Sequence, residues 1–78
     1  MGDNVNKIDI YNVIRKNIKK YRKQKNMTQA KLAEKSYLSH DYIRQIESEK
    51  VANTFSVQTI YDISVALDVS IELLFKNE

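Results

Sequence analysis

The sequence of 78 residues has no cysteine, no proline and one glycine, Gly2. The lack of cysteine excludes disulfide bonds and thiolate metal sites and suits a cytosolic protein. Because helix breakers are nearly missing, helices joined by short polar turns are favoured. No apolar run approaches the roughly 20 residues of a membrane span, and the N-terminus lacks the apolar stretch of a secretion signal. We predict a flexible tail over residues 1–9 and one cytoplasmic domain over residues 10–76.

Acidic residues are scarce in the first part of the chain. Residues 1–35 contain ten lysines and arginines against three acidic residues, a net charge of +7, whereas residues 36–78 carry −4. This asymmetry indicates a polyanionic partner for the basic half. A solvated basic helix explains the same charges equally well, so composition leaves both interpretations open.

Apolar residues at helical spacing predict five helices, and the period-two alternation of strands is missing. The first helix covers residues 10–24, with Ile14, Ile18 and Tyr21 on one face. Basic residues are expected to fill its remaining surface: Arg15, Lys16, Lys19, Lys20, Arg22 and Lys23.

The second and third helices are predicted from their N-cap residues. The second starts at Thr28 and the third at Ser39, because both residue types favour the N-cap position. The third helix is expected to end at about Glu49. Since only three residues separate the two helices, they must cross at a steep angle. Residues 28–49 are therefore predicted to form a helix-turn-helix.

Two further helices complete the predicted domain. After a polar connection over residues 50–55, a fourth helix runs from about Ser56 to Leu67, and Ser70 is expected to cap a short fifth helix. The fourth helix is predicted to point these residues inward: Val57, Ile60, Ile63, Ser64 and Leu67.

The angled pair has a predicted packing of its own. Ala33 is small where the two helices approach, and Ile43 packs beneath it ten residues later. Leu32 and Ile46 complete the apolar wedge. A rigid pair of this kind lets one helix cross the phosphate backbone while the other inserts its N-terminal end into the major groove.

The chain resembles the phage Cro and lambdoid-repressor family, also called the xenobiotic-response-element-like family, over roughly residues 10–75. The matching residues are Thr28-Gln29, Leu32-Ala33, Ser39, Ile43-x-x-Ile46-Glu47, Ala66-Leu67-Asp68-Val69-Ser70 and Leu73-Leu74. The resemblance implies an all-α, compact five-helix lambda-repressor-like DNA-binding domain, with the helix-turn-helix at helices two and three.

The sequence departs from the family at three points. Tyr37 stands where the family usually has glycine in the turn, Glu49 replaces another common glycine, and the usual loop proline is absent. A bulky residue at positive φ is costly. Either the turn adopts another conformation or Tyr37 tolerates strain.

Base reading is assigned by the resemblance to the third helix. His40, Asp41 and Gln45 occupy base-reading positions, where glutamine can bond adenine, aspartate can accept from cytosine and histidine can donate to an acceptor edge. Asp41 has two alternatives. It can act as a favourable partner of the helix dipole, or it can repel a phosphate and exclude wrong poses.

Phosphate contacts are expected around the same surface. Gln29 opens the second helix, where its amide and nearby backbone N–H groups suit a phosphate oxygen. Further candidates are Ser39, Tyr42, Arg44 and Lys50. The alternative for Tyr42 is packing in the core, and for Arg44 and Lys50 it is a solvated charge.

Two other sets of residues are assigned structural roles. By resemblance, Arg22 and Glu47 form an ion pair that joins the first and third helices. A homodimer is expected because one small domain makes few base contacts and two-fold dimers are common. Its predicted interface residues are Val69, Ile71, Leu74 and Phe75, whose alternative role is to close the core.

These observations predict a sequence-specific transcriptional regulator of double-stranded DNA, more specifically a repressor that binds a palindromic operator as a homodimer with its third helix in the major groove. Alternatives are a restriction-modification controller, an antitoxin, or a protein-interaction module without DNA. Joint exposure of Tyr37, Leu38 and Tyr42 would support the last of these. A regulatory protein partner is compatible with all of them.

No catalysis, metal or cofactor is expected. The single histidine, His40, lies beside Ser39 and Asp41 at a helix start, and adjacent residues there do not converge as a catalytic triad must. The sequence also contains no glycine-rich phosphate loop.

Overall fold

The computed structural model describes residues 9–49 and 54–77, and these ranges contain helices without strands. The helices are α1 (Ile10–Gln24), α2 (Gln29–Ser36), α3 (His40–Glu47), α4 (Val57–Leu67) and α5 (Ile71–Leu74). The predicted all-α, five-helix architecture is confirmed. None of these helices is long and apolar enough to cross a membrane.

Polar side chains start four of the helices. Asp9 accepts a hydrogen bond from the backbone N–H of Tyr11. Three hydroxyls accept in the same way from the backbone N–H three residues later, and they belong to Thr28, Ser39 and Ser56. Each cap satisfies one of the backbone donors that a helix start leaves without a partner, so these polar residues define where the helices begin.

One predicted boundary is wrong, and one predicted cap lacks its side-chain hydrogen bond. Helix α3 ends at Glu47 and not at Glu49. Ser70 precedes α5 but makes no side-chain cap. Its hydroxyl donates to the carboxylate of Glu72 at 3.1 Å.

One apolar core contacts all five helices. The cluster consists of Ile14, Ile18, Leu32, Ala33, Ile43, Ile46, Phe55, Ile60, Ile63, Leu67 and Leu74. The predicted wedge of the helix-turn-helix, in which Ile43 and Ile46 pack with Leu32 and Ala33, therefore lies inside this core. Burying the wedge fixes the angle between α2 and α3 because interiors are close-packed.

Val57 does not point inward as predicted. It is 72% exposed, and it shares one face of α4 with Tyr61 and Val65, which are also exposed. Residues four apart lie on the same helical stripe. The inward stripe consists of Ile60, Ile63, Ser64 and Leu67, and Val57 falls outside it.

Phe55 was predicted to lie in a polar connection, but it is buried. Its ring meets the ring of Tyr11 edge to face, with 5.2 Å between the centroids. This geometry is favourable for aromatic pairs. Phe55 therefore fixes the start of α4 against the first turn of α1.

Tyr37 adopts the left-handed conformation, with φ 60° and ψ 33°. The turn is closed by a hydrogen bond of 3.0 Å from the N–H of Leu38 to the carbonyl of Ala33. This is the usual way to end a helix, but glycine is the residue that usually occupies the position. The turn thus takes the left-handed conformation that glycine would allow, and Tyr37 tolerates the strain.

Candidate nucleic-acid interface

Helix α3 has one buried face and one exposed face. Ile43 and Ile46 are fully buried. The exposed face carries the polar residues His40, Asp41, Arg44 and Gln45. Because residues three and four apart are neighbours on a helix, these four side chains form one continuous surface. We call it the recognition face.

Asp41 links two other side chains of the recognition face, Arg44 and Gln45. One carboxylate oxygen accepts a hydrogen bond from the Arg44 guanidinium. The other accepts from Nε2 of Gln45 at 3.0 Å. Two candidate base readers, Asp41 and Gln45, and one candidate phosphate contact, Arg44, are therefore linked in the free protein.

The start of α3 holds two more predicted phosphate contacts. The Ser39 hydroxyl accepts from the Tyr42 N–H at 3.0 Å, which leaves the hydroxyl proton to donate to another acceptor. Tyr42 is half-buried and packs against the core, so its core alternative is observed. The third candidate, Lys50, lies outside the described residues.

Glu47 joins three helices at the other end of α3. Its carboxylate receives two hydrogen bonds from Arg22, at 2.7 and 3.0 Å. Nε2 of Gln29, at the start of α2, donates to it at 3.1 Å. The Arg22 and Glu47 side chains are only 10% and 2% exposed. The pairing is bidentate, which is the strong geometry for arginine and a carboxylate.

The Gln29 side chain is therefore held by the buried carboxylate of Glu47. Gln29 is half-buried, and one of its two amide hydrogens is used by Glu47. The second amide hydrogen remains for a phosphate oxygen. The predicted phosphate contact of Gln29 stays a prediction.

Arg15 was predicted to lie on the basic surface of α1, and this is wrong because the residue is 3% exposed. Its Nη1 donates to the carbonyl of Ile46 at 3.0 Å and to that of Ser48 at 2.7 Å. These carbonyls end α3, where the helix dipole favours a cation. The available signal was spacing, since Arg15, Ile18 and Arg22 share one helical stripe.

The predicted dimer surface is smaller than expected. Leu74 is fully buried, so it belongs to the core and cannot contact a second copy in this fold. The reason is that α5 packs against both α1 and α4. Val69 and Ile71 are half-buried and Phe75 is 40% exposed. These three remain candidates.

The trio that would support a protein-interaction module is not exposed together. Tyr37 is 95% exposed, whereas Leu38 and Tyr42 pack against the core. Tyr37 lines an open pocket of about 310 Å³ between the turn and α4, with Tyr61 and Val65 on its other side. The apolar surface at the turn therefore combines Tyr37 with residues of α4, and not with Tyr42 as predicted.

The described residues contain no group of three or more histidine, cysteine, aspartate or glutamate side chains that could hold a metal ion. The chemistry of the recognition face is that of hydrogen bonding and charge. Its amide, carboxylate, imidazole and guanidinium groups match the donors and acceptors of base edges and phosphates.

Comparison with known proteins gives consistent matches to this fold. A model of the helix-turn-helix family matches residues 18–74. The HTH-type transcriptional regulator SinR of Bacillus subtilis (strain 168) is 37% identical over 66 residues, which are 85% of this chain and 59% of SinR. The chain thus spans about three fifths of the length of the curated relatives it matches.

Two solved structures extend the match. The wild-type restriction-modification controller protein C.Esp1396I has a TM-score of 0.77 at 32% identity, covering 88% of this chain and 87% of that one. SinR, the master regulator for biofilm formation, solved in complex with DNA, has a TM-score of 0.72 at 36% identity. That match covers 81% of this chain and 98% of the SinR chain.

Proposed function

The chain belongs to the xenobiotic-response-element-type helix-turn-helix family of DNA-binding transcription regulators, and on this premise we propose that it is a repressor that binds a palindromic operator as a homodimer. In this proposal α3 enters the major groove and His40 and Gln45 read base edges. The major groove admits a helix and distinguishes all four base pairs.

One observation supports the proposal above the others. The recognition face is exposed while the opposite face of the same helix is fully buried. A reading helix needs this arrangement, because its orientation must be fixed by the domain while its polar side chains stay available. The buried wedge of Ile43 and Ile46 supplies the first condition.

Phosphate contacts would hold α3 in register. Gln29 and Ser39 stand at the starts of α2 and α3, and helix starts favour phosphate because backbone N–H groups and the dipole point there. Arg44 is exposed on the recognition face. The proposed backbone set is Gln29, Ser39, Tyr42, Arg44 and Lys50.

A homodimer would double the number of base contacts. Its proposed surface is formed by Ile71 in α5 and by Val69 and Phe75 beside it. Two copies on a two-fold axis would read half-sites about one helical turn apart. The variant Phe75→Glu should shift sedimentation toward the monomer at unchanged helicity. Equal masses of variant and wild type at every concentration would exclude Phe75 from the interface.

Selection of bound sites from a random duplex pool tests the whole proposal. We expect an inverted repeat, and we expect its affinity to fall steeply with salt because phosphate neutralisation releases counterions. Gln45→Ala should relax preference at one base pair of each half-site, whereas Gln29→Ala should weaken all duplexes about equally. Equal, negligible retention of every duplex at low salt would contradict DNA binding.

A restriction-modification controller is the alternative role that the similarity to C.Esp1396I favours. A second candidate is protein docking at the exposed Tyr37, beside Tyr61 and Val65. Binding of a protein partner that persists at high salt and is lost in Tyr61→Ser would favour protein docking over DNA binding.

A further inference from the structure

We propose that Asp41 is a positioning residue that sets base preference through Gln45 and lowers general phosphate attraction through Arg44, without touching a base itself. This inference rests on the proposed DNA function. It assigns Asp41 a different role from the direct cytosine contact that the family resemblance implies.

Asp41 fixes the orientation of the Gln45 amide. An ionised carboxylate only accepts hydrogen bonds, so the side of Gln45 that faces Asp41 must be Nε2. The bond of 3.0 Å shows this orientation. One Nε2 hydrogen and the carbonyl oxygen then remain, and this is the donor and acceptor pair that the major-groove edge of adenine requires. Asp41 thus selects one of the two amide orientations before DNA arrives.

Asp41 also pairs with Arg44. Its guanidinium donates to the other oxygen of the same carboxylate, so its positive charge is compensated on the recognition face. Phosphate attraction is independent of sequence. Compensation therefore lowers the affinity for every duplex alike and leaves the contribution of Gln45 to discrimination untouched. Both effects of Asp41 favour selectivity over general affinity.

The chain contains a matched control for this geometry. On α4, Nε2 of Gln58 donates to the carboxylate of Asp62 at 2.9 Å, also across four residues. This second pair lies on a helix outside the recognition face. Asp62→Ala removes an equivalent bond and should leave DNA recognition unchanged.

The experiment compares Asp41→Ala, Gln45→Ala, the double variant and Asp62→Ala by site selection and by affinity for matched and single-change duplexes. Asp41→Ala should reduce discrimination at the base pair that Gln45 reads by about tenfold. This is part of the discrimination that one good base contact supplies. The double variant should equal Gln45→Ala at that pair. Asp41→Ala should also bind random duplex more tightly, with a salt slope steeper by up to about one.

Two results would overturn the proposal. If Asp41→Ala changes preference at a different base pair from Gln45→Ala, and the two effects add, Asp41 reads a base directly. If Asp41→Ala lowers thermal stability with preference unchanged everywhere, the carboxylate acts only as a partner of the helix dipole.

A measurement on the free protein separates this proposal from the proposed function. The side-chain amide of Gln45 should show two well-separated proton resonances by NMR. The separation between these two resonances should decrease in Asp41→Ala and stay unchanged in Asp62→Ala. Gln58 should show the reverse. If the wild type binds no duplex, the proposed function fails but this readout still stands. Unchanged Gln45 resonances in Asp41→Ala would overturn the positioning role on their own.

Discussion

The two ends of α3 are held in opposite ways. At the C-terminal end, Glu47 and the last carbonyls receive hydrogen bonds from the buried Arg22 and Arg15 of α1. At the N-terminal end, Ser39 and Asp41 make contacts that span at most four residues, at the surface. One end is fixed to the domain, and the other carries polar groups that can exchange their partners.

The difference in burial explains the difference in role. Exposed ion pairs contribute little, so replacing such a partner by a phosphate or a base costs little. Removing one partner of a buried pair leaves an uncompensated charge and is far more costly. A reading helix therefore gains from buried pairs where it is anchored and exposed pairs where it binds. Predictions at each end test this division.

The largest effect is expected at Glu47. Glu47→Ala leaves Arg22 buried without its carboxylate and releases Gln29 at the start of α2. Loss of one partner from such a pair costs about 3–5 kcal/mol, comparable with the whole stability of a domain this small. Urea unfolding followed by circular dichroism should show a largely unfolded chain at room temperature.

The control for this prediction is the double variant Arg22→Met with Glu47→Leu. Apolar replacement of both partners is often close to neutral, so most of the lost stability should return. A double variant as unstable as Glu47→Ala would show that the single substitution acts through lost packing and not through the unpaired arginine.

Arg15 should show the next largest effect. Arg15→Met keeps an apolar stem but removes the donor to the carbonyls of Ile46 and Ser48. A buried acceptor left without a partner costs about 1–3 kcal/mol, and we expect a loss of about 2 kcal/mol in urea unfolding. Lys16→Met, at the exposed neighbour, should change stability by less than about 0.5 kcal/mol. Equal effects of the two would contradict the anchoring role.

The contacts of Arg15 could not be predicted from the sequence. Apolar spacing identified five helices and the wedge because those patterns repeat at fixed intervals. Spacing places Arg15 and Arg22 on the helical stripe of Ile18, but it does not say that Arg15 meets the last carbonyls of α3, since that depends on where α3 ends. The burial of Phe55 likewise depends on Tyr11, 44 positions earlier in the chain. Contacts between distant segments were the part that local patterns could not supply.

The turn before α3 gives an effect of opposite sign. Tyr37 holds a left-handed conformation that glycine adopts without steric cost. Tyr37→Gly should therefore raise stability by about 1 kcal/mol, measured by thermal unfolding. Tyr37→Ala keeps Cβ and should not reproduce the gain. If alanine stabilises as much as glycine, the cost lies in the exposed ring and not in the backbone.

The smallest change in stability is expected at Arg44, on the recognition face. Arg44→Ala removes an exposed pair with Asp41, so unfolding should shift by less than about 0.5 kcal/mol. Affinity for DNA should nevertheless fall for selected and scrambled duplexes alike, because a lost cation weakens phosphate binding without changing which bases are read. The comparison of the two helix ends requires both results together. A loss of stability above about 1 kcal/mol would mean that the N-terminal end is held as firmly as the C-terminal end, and the exposed polar groups would then not be available for exchange with DNA.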